Sequence, residues 1–209
     1  MSIWEIIGTV LGVLGVWLMI RQNIWGWPVG LVQVAVYTWV FYDAKLYSDA
    51  ILQVFFFVFQ GYGWWFWLRG QHTAAHSELP VTRLAPVVMA GWIGLGALGT
   101  AAWGTYMQRT TDAAMPHWDA FILVFSLIAQ WLQARKNLEN WALWVVVNTV
   151  AVGVYWMKDL RLTAGLYVVF WLMALWGWWE WRRFVGPVSD RPGQSQTGST
   201  RSDDSPSNA

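Results

Sequence analysis

The chain has 209 residues, of which 56% are hydrophobic, 12% are charged and 20 are tryptophan, and its formal net charge is +1. A water-soluble domain carries roughly a quarter charged residues, so this composition excludes a soluble enzyme, a disordered chain and a basic nucleic-acid binder. Zero cysteines exclude a disulfide scaffold, Cys-based metal sites and Cys nucleophiles.

A bilayer is the solvent that fits. A transmembrane helix needs about 20 mostly apolar residues to cross roughly 30 Å of hydrocarbon. Seven stretches meet that requirement, at 3–20, 24–42, 47–68, 85–107, 118–134, 138–156 and 162–181. Ser2 followed by Glu5 reads as a capping box opening the first helix. The runs do not alternate as barrel strands do. The predicted fold is therefore all-α: a polytopic membrane protein of seven transmembrane helices. Beyond Arg183, residues 186–209 are rich in Ser, Pro, Gly, Asp and Arg, and a disordered tail is expected there.

Basic residues give an orientation. The loops after helices 1, 3 and 5 and the C-terminal tail hold Arg21, Arg69, Arg83, Arg135, Lys136, Arg182, Arg183, Arg191 and Arg201. The other side holds Lys45, Arg109, Lys158 and Arg161. The positive-inside rule places the C-terminus, and so the tail, in the cytoplasm and the N-terminus outside.

The chain repeats itself. An offset of 114 residues aligns Trp4–Arg69 with Trp118–Arg183 without a gap, and 20 of the 66 positions are identical. Arg21 meets Arg135, Asn23 meets Asn137, Trp27 meets Trp141, and the Gly63-Trp64-Trp65-x-Trp67 run meets Gly177-Trp178-Trp179-x-Trp181. The reading is a duplicated three-helix unit, with repeats at 3–68 and 118–181 and a linker helix at 85–107. That linker is glycine-rich (Gly91, Gly94, Gly96, Gly99 and Gly104) and suits close packing. One extra span makes helices 1 and 5 cross in the same direction, so the two triple-helix units are parallel repeats in a 3+1+3 order. Substrate sites of such transporters lie near the midplane at the repeat interface.

Charge is missing where coupling would need it. Glu5, Asp49, Asp119, Glu139 and Glu180 fall near helix ends, and no Lys or Arg lies mid-span. A buried carboxylate or histidine is the usual coupling group, and no phosphate-cradling GxxxxGK[ST] loop is present. Downhill, uncoupled transport is the energetic option left. Neutral polar groups are present instead: Gln33, Gln53, Gln60, Ser126, Gln130, Gln133 and Asn148. An amide offers two donors and two acceptor lone pairs, enough to clasp hydroxyls or a carboxamide.

The tryptophans divide in two. Trp25, Trp64, Trp65, Trp67, Trp178, Trp179 and Trp181 lie at span ends, where an interfacial belt accounts for them. Trp141-x-x-Trp144-x-x-x-Asn148 instead sets two indoles and an amide along one helix face. That spacing suits a planar, preferably cationic ring, at about 0.5–2 kcal/mol per contact. His72 and His76 are four apart in a loop, with no third ligand, so no metal site is expected.

Taken together, Gly26-Trp27-Pro28-Val29-Gly30-Leu31-Val32, Leu46-Tyr47-Ser48-Asp49-Ala50, Leu52-Gln53-Val54-Phe55-Phe56, Tyr62-Gly63-Trp64, Trp118-Asp119 and the Glu139–Asn148 run make the chain resemble the PnuC family of bacterial B-vitamin transporters, over about residues 3–183. The resemblance implies a SWEET-like fold, a homotrimer in the bacterial inner membrane, and no enzymatic activity or cofactor. It also implies facilitated diffusion of nicotinamide riboside, with a cytoplasmic kinase trapping the vitamin as its phosphate. Trp141, Trp144 and Asn148 match the family's helix-6 motif, and Gln53 its helix-3 glutamine. One position departs: members that carry nicotinamide riboside often show Asn after Gly30-Leu31, where this chain has Gln33. Thiamine or riboflavin therefore stand as alternative cargoes, and a non-transporting membrane sensor as a more distant alternative. The substrate-binding set expected is Trp141, Trp144, Asn148, Gln130, Gln53 and Gln33.

Overall fold

The computed structural model describes residues 3–43, 47–73 and 80–185, and within them it forms seven long helices. They are α1 (Ile3–Ile20), α2 (Gly26–Asp43), α3 (Tyr47–Thr73), α4 (Pro86–Thr110), α5 (Pro116–Ala134), α6 (Glu139–Met157) and α7 (Arg161–Trp181), the last followed by a short 3-10 turn at Arg182–Phe184. Ser2 with its capping box, His76 and the tail 186–209 lie outside the described residues, as do the side chains of 41, 47–52 and 71–73, His72 among them.

Local chemistry sets these ends. Proline occupies the first turn of α4 and of α5, where its fixed φ suits a helix start and its missing N–H costs nothing. α1 and α5 stop in the same way. Gln22 and Lys136 take left-handed φ values of 53° and 54°. The following asparagines then reach back, Asn23 N–H to the Leu18 carbonyl and Asn137 N–H to the Leu132 carbonyl, both at 2.9 Å. These are Schellman stops. Asp159 ends α6 similarly, with φ 60°.

Six helices close a ring. Neighbours pack in the order α1, α2, α3, α5, α6, α7 and back to α1, while α4 packs on α5 alone among the described residues. The ring's outer faces carry large exposed apolar side chains, such as Val10, Trp39, Val58 and Leu172. Four helices, α1, α4, α6 and α7, are long and apolar enough to cross a membrane by length and composition. The sequence reading expected all seven to qualify. α2, α3 and α5 fall short because their glutamines, Gln33, Gln53, Gln60, Gln130 and Gln133, dilute the apolar run, and these side chains line the ring's interior instead of facing outward.

The ring is latched at the end where α1, α3, α5 and α7 finish. Trp67 Nε1–H donates to the Ala134 carbonyl at 3.0 Å. Trp181 Nε1–H is shared between the Met19 and Ile20 carbonyls at 3.1 and 3.2 Å. Offset by 114, Trp67 becomes Trp181 and Ile20 becomes Ala134, so the two bonds are counterparts. This corrects the belt assignment for those two tryptophans: they are 2% and 0% exposed, and their indoles donate to carbonyls in the last turns of α1 and α5, of which Met19 O also accepts the Gln22 N–H. Trp25, Trp64, Trp65 and Trp179 do lie on the outside. Between the two stops, Lys136 is buried over the Trp67 ring at 4.4 Å and donates to Gln22 Oε1 at 3.1 Å. A strap before α4 adds to the latch, where Thr82 pairs with Asn137 and Val81 with Val185.

Trp67→Phe and Trp181→Phe keep a ring and delete one latch bond each. A net loss of about 1 kcal/mol is expected for each, read as a fall of about 2–4 °C in thermal unfolding of the detergent-solubilised protein.

Candidate functional site

A cavity of about 270 Å³ lies inside the ring, and all six ring helices contribute to its wall, whereas α4 contributes nothing. The six residues expected from the sequence, Trp141, Trp144, Asn148, Gln130, Gln53 and Gln33, are all on that wall. Among the described residues, none on the wall is Asp, Glu, Lys, Arg or His.

The wall has a polar side and an aromatic side. Ser126, Gln130 and Gln133 follow one another at helical spacing on α5, so they form one stripe facing the cavity. Gln60 rests over the bare backbone of Gly30, where a Cβ would collide with its Oε1. Gln33 approaches α1 at Gly12 in the same fashion, its Nε2 3.4 Å from where a Cβ would stand. These close approaches use glycine's missing side chain to seat long amides between helices. Buried amides normally carry hydrogen-bond partners. Among the described residues, no side-chain hydrogen bond joins Gln33, Gln53, Gln60, Gln130 or Asn148 to the protein. Their polar atoms are open to whatever occupies the cavity.

The two indoles of α6 differ. Trp144 is partly exposed and donates its Nε1–H to Gln133 Oε1 at 2.9 Å. Trp141 is 2% exposed, wedged over Gly177 and edge-on to Trp181 at 5.4 Å. Its counterpart Trp27 is wedged over Gly63 and edge-on to Trp67 at 5.5 Å. Trp141 is thus chiefly a packing element with an edge on the cavity, and Trp144 offers the accessible ring. Phe56, Tyr167 and Phe170 complete the aromatic lining, and Tyr167 stacks on Tyr155 at 5.1 Å.

Sequence reasoning left Phe56, Tyr167 and Phe170 out of the site and named Gln60, Ser126 and Gln133 only as polar groups in the spans. The 114-residue offset carried the missing signal. It takes Gln53 to Tyr167, Phe56 to Phe170, Gln60 to Ala174, Val16 to Gln130 and Gly12 to Ser126, and every one of these residues lines the cavity.

A family model described as "Nicotinamide mononucleotide transporter" matches residues 2–183. The chain belongs to the nicotinamide mononucleotide transporter family. Its match spans all seven helices, and the protein is a multi-pass membrane transporter. Among curated relatives, the chain is similar to "Nicotinamide riboside transporter PnuC" of Escherichia coli, 26% identical over 201 residues, covering 85% of this chain and 84% of that protein. It is also similar to "Riboflavin/roseoflavin transporter RibM" of Streptomyces davaonensis, 29% identical over 192 residues and covering 89% and 90%. Among solved structures it resembles the "Crystal structure of the Vitamin B3 transporter PnuC", with a TM-score of 0.68 and 25% identity, covering 85% of this chain and 80% of that one.

Proposed function

We propose that this protein is a uniporter that takes up nicotinamide riboside by facilitated diffusion, with a cytoplasmic kinase trapping the vitamin by phosphorylation. The observation that carries the reading is the cavity: aromatic rings and unpartnered amides enclosed by six helices, with no charged residue on the wall among the described residues. A pyridinium ring suits the face of Trp144 through cation–π contact. Asn148, Gln130, Gln53 and Gln33 match a carboxamide and ribose hydroxyls, with the edge of Trp141 beside them. The lack of any carboxylate or histidine on the wall among the described residues favours an uncoupled carrier.

The same cavity argues for the dephosphorylated vitamin. A phosphate in a dry site calls for Arg or Lys, and the wall has neither among the described residues. Equilibrium titration is expected to show nicotinamide riboside binding and its mononucleotide binding far more weakly; equal or tighter binding of the mononucleotide would overturn this.

The fold reading that goes with this function is a SWEET-like 3+1+3 arrangement of two parallel triple-helix repeats, supported by the counterpart latch bonds and matching helix stops. It also takes the protein as a homotrimer in the bacterial inner membrane with the N-terminus outside; the basic residues gathered at the latched end support that orientation.

A second reading is riboflavin uptake. The similarity to the Streptomyces transporter covers nine-tenths of both chains, and Gln33 stands where riboside carriers often have asparagine. Thiamine is the third cargo to compare. Uptake of each labelled vitamin into vesicles holding the purified protein decides among them, and binding without accumulation would point to a sensor instead.

A further inference from the structure

Gln133 differs from the other cavity amides in having a fixed partner, the Trp144 indole Nε1–H at 2.9 Å. An indole N–H can only donate. The amide must therefore turn its oxygen to Trp144, which leaves its NH₂ group as the half available to cargo. The counterpart positions, 114 residues earlier, are Met19 and Gly30, both on the wall. Neither side chain can make this bond. One half of the cavity holds a pinned indole, and the opposite half holds glycine in its place.

We propose, resting on the transport reading above, that Gln133 is the positioning residue of the site. It holds the plane of Trp144 so that a flat base enters in one orientation only. Its amide N–H groups then meet an acceptor oxygen on the rim of that base. The substrate class selected is a planar heteroaromatic bearing such an oxygen, as the carboxamide of nicotinamide and the ring carbonyls of an isoalloxazine do. The aminopyrimidine of thiamine has ring nitrogens as acceptors but no such oxygen on its rim, and weaker binding of thiamine is expected. A methionine in place of Gln133 fills a similar volume and already occurs at the counterpart position, so Gln133→Met is the variant suited to the test.

Two measurements on the full-length protein in detergent separate this proposal from the transport reading. The first needs no cargo. With ¹⁵N-indole tryptophan, the Trp144 N–H signal is assigned by its loss in Trp144→Phe. It is expected to exchange slowly with solvent in the wild type and faster in Gln133→Met; unchanged protection in Gln133→Met overturns the proposal. The second is titration with nicotinamide riboside, riboflavin and thiamine. Gln133→Met and Trp144→Phe are each expected to weaken the best-bound of the first two by about fivefold. The double variant loses no more than Gln133→Met alone, because that substitution already removes the bond that Trp144→Phe deletes. Additive losses overturn the positioning role, as does wild-type binding of thiamine equal to that of the other two. If the wild type binds none of the three while the indole N–H is protected and then released by Gln133→Met, the transport reading falls and the positioning of Trp144 stands.

Discussion

Gly177→Ala is expected to lower both thermal stability and affinity for cargo, whereas Gly63→Ala lowers stability alone. A Cβ at Gly177 would stand 2.5 Å from the Trp141 ring, and one at Gly63 would collide with the Trp27 ring. Neither indole has room to retreat. Each is buried and braced edge-on by a second tryptophan, Trp181 or Trp67, that is itself held by a carbonyl across the ring. The helices must then move apart, and overpacking of this kind costs about 1–3 kcal/mol. The two sites differ in what lies behind the displaced ring. Trp141 forms part of the cavity wall and Trp27 does not. Thermal unfolding and equilibrium titration of both variants check this, and equal losses of affinity would contradict it.

Trp144→Ala is expected to weaken cargo binding by about tenfold, the loss of one aromatic contact worth roughly 1.4 kcal/mol, while leaving the protein folded. Trp144 is partly exposed to the cavity and its ring edge is tied to Gln133, so truncating it opens wall without removing a central packing element. Trp141→Ala contrasts with it. That indole fills the notch over Gly177, and deleting a buried aromatic of this size costs about 3–5 kcal/mol. Its effect is expected first in the yield of folded protein. Titration and thermal unfolding separate the pair, and binding by Trp144→Ala as tight as the wild type's would remove this residue from the site.

Helix positions were legible because the breaks are chemically marked: Asn23, Pro86, Pro116 and Asn137 each stand at a stop or start. The candidate set of α6 was legible too, since Trp141, Trp144 and Asn148 repeat at helical spacing. What each tryptophan does was not. A tryptophan near a span end can face lipid or core, and only tertiary contacts decide; Trp65 and Trp67, two residues apart, go opposite ways. The same limit applied to Trp141, whose burial depends on a glycine 36 positions later. The pairing of Gln133 with Trp144 joins two helices across a turn, and no periodicity within either one announces it.

The counterpart latch bonds bear on how the molecule is made. While the chain is being synthesised, α1 to α3 enter the membrane first, with the Trp67 indole lacking its acceptor and the Ile20 carbonyl lacking its donor. Each is satisfied only when the later helices arrive, the acceptor at the end of α5 and the donor at the end of α7. Neither half can finish its own hydrogen bonding. Completion is therefore reserved for the full-length chain, and a prematurely terminated one would lack both bonds at that end of the ring.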